Sequence, residues 1–302
     1  MASIKSRFYS LAVRLFLKRY ATSARGVHKH LKTARRWQNF NPPRHLHADF
    51  EISQTQSNRN TVFELKPRGT DPALTILYLH GGGYLFEISR YHWDFIADLA
   101  GRTKARFIIP IYPLAPESNC RDVYECVMPI YREVAVASGD RPFVLMGDSA
   151  GGGLVTAMTL AGRREGLPAA DQLVLLSPWL DLGLTNRSIA DVERHDPWLG
   201  VEGAREAARL YADGQDLMDP WLSPIHGDLA DLPPTRILVG TRDILSPDCV
   251  SFTEIADACG CDIELIIGPD MIHVWMLLNS PEAREARQMI VEGLPTSKRI
   301  PD

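Results

Sequence analysis

The segment Gly147-Asp148-Ser149-Ala150-Gly151-Gly152 constrains this chain more than any other. It follows the apolar run Phe143-Val144-Leu145-Met146 and precedes a helix-like stretch from Leu154 to Leu160. Glycines crowded around one serine imply a sharp turn, because glycine alone takes strained backbone angles cheaply and lets a neighbouring chain pass where a Cβ would sit. A Gly-x-Ser-x-Gly turn between a strand and a helix is a nucleophile elbow, which leaves the serine oxygen proud of the sheet at the positive end of the helix.

A second glycine-rich segment, His80-Gly81-Gly82-Gly83-Tyr84, ends the strand-like run Leu74 to Leu79. Three consecutive glycines cost backbone entropy, so a bare main chain must be needed there. Acyl-transfer chemistry supplies the need, since amide N–H groups aimed at a developing oxyanion are often its largest single source of stabilisation. A third motif, Tyr112-Pro113-Leu114-Ala115-Pro116-Glu117, lies between the two.

Together these three motifs resemble the hormone-sensitive-lipase group of α/β hydrolases, the bacterial family IV esterases, over about residues 60 to 280. One departure is Pro113, where relatives usually carry arginine. The resemblance implies an oxyanion hole built from the amides of Gly82, Gly83 and Ala150. It also implies a triad in the chain order serine, acid, histidine.

A serine hydroxyl is a weak nucleophile, so it requires a base within hydrogen-bond reach and a third group to orient that base. Downstream of Ser149 stand His195, His226 and His273. His273 follows the strand-like Ile263 to Ile267 and the turn Gly268-Pro269, and is expected to be the base, while His195 and His226 read as structural. Asp243, in Gly240-Thr-Arg-Asp-Ile-Leu after the apolar run from Thr235, is the expected acid, because ligand-facing loops gather at the carboxyl ends of parallel strands. Asp248 is its rival, although an aspartate opening a helix more often caps N–H groups. Asp270 reads as a turn carboxylate.

Apolar runs at 74–79, 106–112, 143–147, 172–177, 235–240 and 263–267 alternate with helix-like segments near 90–102, 119–138, 150–164, 248–259 and 281–292. That alternation predicts an α/β fold, a mainly parallel central sheet with helices on both faces. The earlier runs Phe50–Gln54 and Thr61–Leu65 would add an antiparallel edge. Residues 46–182 and 219–302 are then the catalytic domain. The remaining segments, 1–45 and 183–218, match the positions that form a helical cap in the related esterases. Tyr84, Phe86, Trp179, Trp198, Tyr211, Met218 and Trp275 are expected, as a set, to line an apolar acyl pocket.

A hydrophobic fraction of 45% with 23% charge is that of an ordinary globule. The five cysteines form no Cys-x-x-Cys pair, and their odd number argues against a full disulfide framework, which fits a reducing cytoplasm. His28-Lys-His30 and His45-Leu-His47 lack further ligands at zinc spacing and read as surface pairs, so no metal or cofactor is expected. Residues 1–48 carry 11 Lys and Arg and no Asp or Glu, leaving 22 basic against 37 acidic residues beyond. Within them Ile4, Phe8, Leu11, Ala12, Leu15 and Phe16 recur at helical spacing, flanked by Lys5, Arg14, Lys18 and Arg19. This basic amphipathic helix is too polar to span a bilayer. The expectation is that its apolar stripe docks on the cap while its basic face complements the acidic body. Peripheral contact of residues 1–20 with an anionic membrane and an Arg-rich import segment stay open.

The sequence therefore predicts a serine carboxylesterase acting on small-molecule esters with small to medium acyl groups. A lactone hydrolase or deacetylase would use the same residues. A non-catalytic ligand-binding member of the fold remains the alternative from another class, although a plant hormone receptor of this group that binds without hydrolysis has lost the histidine, which this sequence keeps as His273. No nucleic-acid-binding motif is present, and a homodimer is left open.

Overall fold

The computed structural model describes residues 2–57 and 60–298; Met1 and residues 299–302, the outer ends of the first and last segments above, lie outside the described residues. Eight strands form one sheet: β1 (Phe50–Ser57), β2 (Asn60–Pro67), β3 (Thr75–Leu79), β4 (Arg106–Pro110), β5 (Phe143–Asp148), β6 (Gln172–Leu176), β7 (Thr235–Arg242) and β8 (Ile263–Ile272). Their order is β1-β2-β4-β3-β5-β6-β7-β8, with β1 and β2 antiparallel and β3 to β8 mutually parallel. The early runs do form the antiparallel edge. The carboxyl ends of β3 and β5 are neighbours from which the chain departs in opposite directions, the switch point where open α/β sheets bind ligands.

Alternation along the strands builds a core on each face. Leu77, Leu79 and Leu145 join the apolar cluster that includes Val155 and Met158 of α6 (Ala150–Arg164), Met128 of α5 (Cys120–Ser138) and Phe252 of α9 (Ser246–Ala258). Ile76, Tyr78, Val144 and Met146 join the opposite cluster with Phe95 and Leu99 of α4 (Arg90–Thr103) and Ile290 of α10 (Pro281–Glu292). Side chains of period two on parallel strands buried on both faces give this division directly. β8 runs further than the sequence implied, through Gly268-Pro269 to Ile272. Proline is tolerated there because β8 is the edge strand.

The two segments outside the alternation supply α1 (Ile4–Phe16), α2 (Lys18–Ala21), α3 (Ala24–Ala34), α7 (Ile189–Glu193) and α8 (Val201–Ala212). Helices α2 and α3 lie against α8, so closely that a Cβ on Gly203 would stand 2.1 Å from the Ala21 carbonyl oxygen. His28 and Glu206 join the same pair of helices at 2.7 Å.

The docking expected for α1 is reversed. Its polar side faces the protein: Ser3 and Ser6 hydrogen-bond Glu282, and the buried Ser10 hydroxyl accepts from Arg242 at 3.1 Å. Ile4, Phe8, Leu11, Leu15 and Phe16 are exposed instead. Three hydroxyls matched to Glu282 and Arg242 fix the orientation, because buried polar groups lacking such partners would be costly. Nor does the basic side meet the acidic body. Of the eleven Lys and Arg in residues 1–48, only Arg35 has a carboxylate partner among the described residues, Glu117 at 2.9 Å.

Candidate active site

Ser149 stands between the last residue of β5 and the first of α6, with φ 52° and ψ −122°. A non-glycine residue held at positive φ is strained, so its surroundings must fix it. They do: the Ser149 amide donates to the Leu176 carbonyl at 2.8 Å, and its carbonyl accepts from Trp179 at 2.9 Å. Gly151 answers the steric demand read from the sequence, because a Cβ there would lie 2.1 Å from the Leu79 carbonyl oxygen.

His273 follows the last residue of β8, and Asp243 follows β7. The Ser149 hydroxyl donates to His273 Nε2 at 2.9 Å, and His273 Nδ1 donates to Asp243 Oδ2 at 2.8 Å. All three side chains are buried. Asp243 thus occupies the place expected of the acid. Asp248 lies in the first turn of α9, with one carboxylate oxygen buried and unpartnered among the described residues and its pKa pushed up to about 7 by burial and by Asp181. His195 and His226 lie away from this line: the His195 carbonyl accepts from Arg242, and His226 approaches Asp181 at 3.7 Å.

Gly82 and Gly83 follow β3 with φ 114° and 62°. A Cβ on Gly82 would meet the Phe86 carbonyl oxygen at 2.4 Å. The amides of Gly82, Gly83 and Ala150 donate to no acceptor among the described residues. Gly82 and Gly83 line the same cavity as Ser149.

Two carboxylates shape the site although the sequence assigns them no role: Asp148, inside the elbow motif, and Asp196. Buried Asp148 accepts from Tyr78 Oη at 2.5 Å, from the Gly81 amide at 2.9 Å and from His92 Nε2 at 3.2 Å, tying the glycine loop to the elbow. Burial raises its pKa, but His92, Tyr78 and Gly81 more than offset that and hold it low. Asp196 accepts from the amides of Trp198, Leu199 and Ile244, and burial, then the Asp243 charge, push it up to about 6. For His273, burial alone would lower the pKa, but the charge and hydrogen bond of Asp243, with Asp196 and Asp148 behind, outweigh it and leave it raised.

A cavity of about 910 Å³ opens over Ser149 and His273. Of the expected aromatic set, Phe86, Trp179 and Trp198 line it. The other four do not. Tyr84 turns at φ 60° and stacks on Tyr211 with centroids 3.7 Å apart, both within the core beneath. Trp275 is buried against Gly268, and Met218, in the turn after α8, points to solvent. In their place the amino-terminal helices supply Phe8, Phe16, Tyr20 and His30. His30 is thus no surface partner of His28. Its ring lies 4.9 Å from both Tyr20 and Phe86, and burial lowers its pKa.

Residues 76–277 match the family described as the alpha/beta hydrolase fold. An esterase from Acinetobacter venetianus is 31% identical over 234 residues, 76% of this chain and 77% of its own length. An acetyl-hydrolase from Streptomyces hygroscopicus is 33% identical over 227 residues, 74% of this chain and 76% of its own. Among solved structures, an esterase from the bacterial hormone-sensitive lipase family superposes with a TM-score of 0.81 at 30% identity, covering 97% of this chain and 98% of that one. The chain belongs to the hormone-sensitive-lipase-like group of the alpha/beta hydrolase superfamily.

Three outcomes follow from these charges and hydrogen bonds. If His273 must be neutral to take the proton of Ser149, kcat/KM for an ester is expected to rise with pH through a limb centred above the 6.5 of an ordinary histidine. Replacing Asp196 by Asn removes one of the raising charges, so a pH–rate profile of that variant shows the limb moved down. Asp148→Ala leaves Tyr78, Gly81 and His92 without their acceptor and is expected to lower unfolding free energy by about 3 kcal/mol in denaturant titration.

Proposed function

We propose that this protein is a serine ester hydrolase that works through an acyl-enzyme intermediate on esters with small to medium acyl groups. One observation carries the reading: the unbroken line from Ser149 through His273 to Asp243, with Gly82 and Gly83 lining the same cavity and the amides of Gly82, Gly83 and Ala150 without an acceptor among the described residues. Ser149 attacks the ester carbonyl as His273 takes its proton. Asp243 holds the imidazole in the required tautomer and stabilises the imidazolium. The amides of Gly82, Gly83 and Ala150 receive the carbonyl oxygen as it gains charge, at the amino end of α6. His273 then returns the proton to the departing alcohol, and a water activated by His273 releases the acid.

Residues 1–45 and 183–218 act as a cap in this reading, supported by the packing of α2 and α3 on α8 and by the residues both segments give to the cavity. The esterase and acetyl-hydrolase names of the relatives agree with an ester substrate. The apolar character of Phe8, Phe16, Phe86, Trp179 and Trp198 suits an acyl chain, and the volume lies within the range of small-molecule sites.

Ser149→Ala is expected to leave less than about a thousandth of wild-type turnover, the level non-covalent features alone supply, with an unchanged circular dichroism spectrum. Asp243→Asn should be far more damaging than Asp248→Asn; the opposite order in kcat would move the acid to Asp248. Across p-nitrophenyl esters of increasing length, kcat/KM should peak at short to medium chains, and a maximum on long-chain emulsified triglyceride would contradict the proposed substrate class.

A further inference from the structure

Apart from Phe8 and Phe16, which also line the cavity, the outward face of α1 has no role in the reading above. Ile4, Phe8, Leu11 and Leu15 stand at i, i+4, i+7 and i+11, so they fall on one line along the helix. They are 88, 66, 55 and 60% exposed, opposite the serine face that anchors the helix. Lys5 flanks the line on one side, and Arg7 and Arg14 on the other; none has a carboxylate partner among the described residues. Phe16, Trp37 and Tyr91 extend the apolar surface, Trp37 with 83% of its surface open. The same Phe8, Phe16, Trp37 and Tyr91 also line the cavity over Ser149, so its mouth opens on this patch.

Large apolar side chains gathered on a soluble surface mark a place of contact. We propose that this face docks on an anionic lipid bilayer, with α1 lying in the interface, its apolar line inserted and its basic flanks on the headgroups. Charge selects this occupant over a second copy of the chain. Residues 1–48 hold 11 basic and no acidic residues, so pairing two such faces would juxtapose like charges with nothing to compensate them. An anionic headgroup layer supplies the missing partner. The remainder of the chain, with 22 basic against 37 acidic residues, is repelled by the same layer, which orients the basic pole and the cavity mouth toward the lipid. No helix among the described residues is long and apolar enough to cross a membrane, so the contact is peripheral. Given the ester-hydrolase reading, an ester dissolved in the bilayer would enter the cavity directly.

Flotation of the full chain with phosphatidylcholine vesicles, with and without phosphatidylglycerol, tests docking without any need for turnover. Wild type is expected to float only with phosphatidylglycerol present, and to be released by salt. The triple variant Lys5→Gln, Arg7→Gln, Arg14→Gln should bind roughly a hundredfold more weakly, about fivefold for each charge. Ile4→Ser, Leu11→Ser, Leu15→Ser changes only exposed positions outside the cavity wall; it should likewise lose binding while keeping the wild-type melting curve. Absence of wild-type flotation, equal flotation with neutral vesicles, or undiminished binding by either variant overturns the proposal. So does a wild-type dimer in sedimentation that the Ile4, Leu11 and Leu15 variant dissociates, which would make the face an interface between copies. Should the vesicle results hold while Ser149→Ala keeps full activity, the docking surface stands and the chemistry assigned to the cavity falls.

Discussion

The geometry of the site depends on one buried carboxylate. Asp148 is the residue before the strained Ser149, and its oxygens receive the Gly81 amide, the Tyr78 hydroxyl and His92. It therefore joins the ends of two adjacent strands, β5 and β3, to α4 behind them. Without such a tie, a loop of three glycines would sample many conformations, and its amides would be aimed only part of the time. Preorganised donors are effective because they need no rearrangement as charge develops. The cost of burying a carboxylate is offset by three donors, and the result is a glycine loop that is open in composition but fixed in place.

The same junction explains the spacing of the site along the chain. β3 and β5 are neighbours, yet the chain leaves β3 for β4 on one side and β5 for β6 on the other. A crevice at that divergence receives the loop after β3 and the elbow after β5 with no intervening connection. β7 and β8 then bring Asp243 and His273 in from one side. Residues 30 apart in sequence meet at 2.8 Å because two parallel strands end at the same level. His273 lies 124 residues from Ser149 and still reaches it at 2.9 Å.

This explains what was legible in the sequence. Strands buried on both faces appear as short apolar runs, and their ends are marked by glycine, proline or the motif residues themselves. The succession of strands and helices along the chain, the antiparallel edge pair and the meeting of Ser149, His273 and Asp243 could therefore be anticipated. The cavity wall could not be read as well, because an aromatic residue beside a motif has two apolar destinations. Tyr84 turned inward onto Tyr211, whereas Phe86, two positions on, faces the cavity. Backbone angles at Gly82, Gly83 and Tyr84 decide between them, and periodicity carries no information on that turn. Asp148 and Asp196 were silent for another reason: a buried carboxylate looks like any other until its donors are known.

The orientation of α1 failed on a more general point. An apolar stripe on an amphipathic helix ordinarily faces the core, since burial of each large side chain contributes about 1.5–3 kcal/mol. That rule assumes that the opposite face has nothing specific to bind. Here Ser3, Ser6 and Ser10 are spaced to meet Glu282 and Arg242, and the Lys18 ammonium donates to the Asp196 carbonyl at 2.5 Å. These directional contacts hold the polar face inward and leave the apolar line in water, an arrangement that would be unfavourable for a helix with no further partner. Asp196, whose carbonyl receives Lys18, also takes amides from Trp198 and Leu199 at the cavity wall and from Ile244 beside Asp243. A partner seated on the outward face of α1 would therefore bear, through Lys18 and Asp196, on the segment that carries Trp198 and on the loop that presents Asp243.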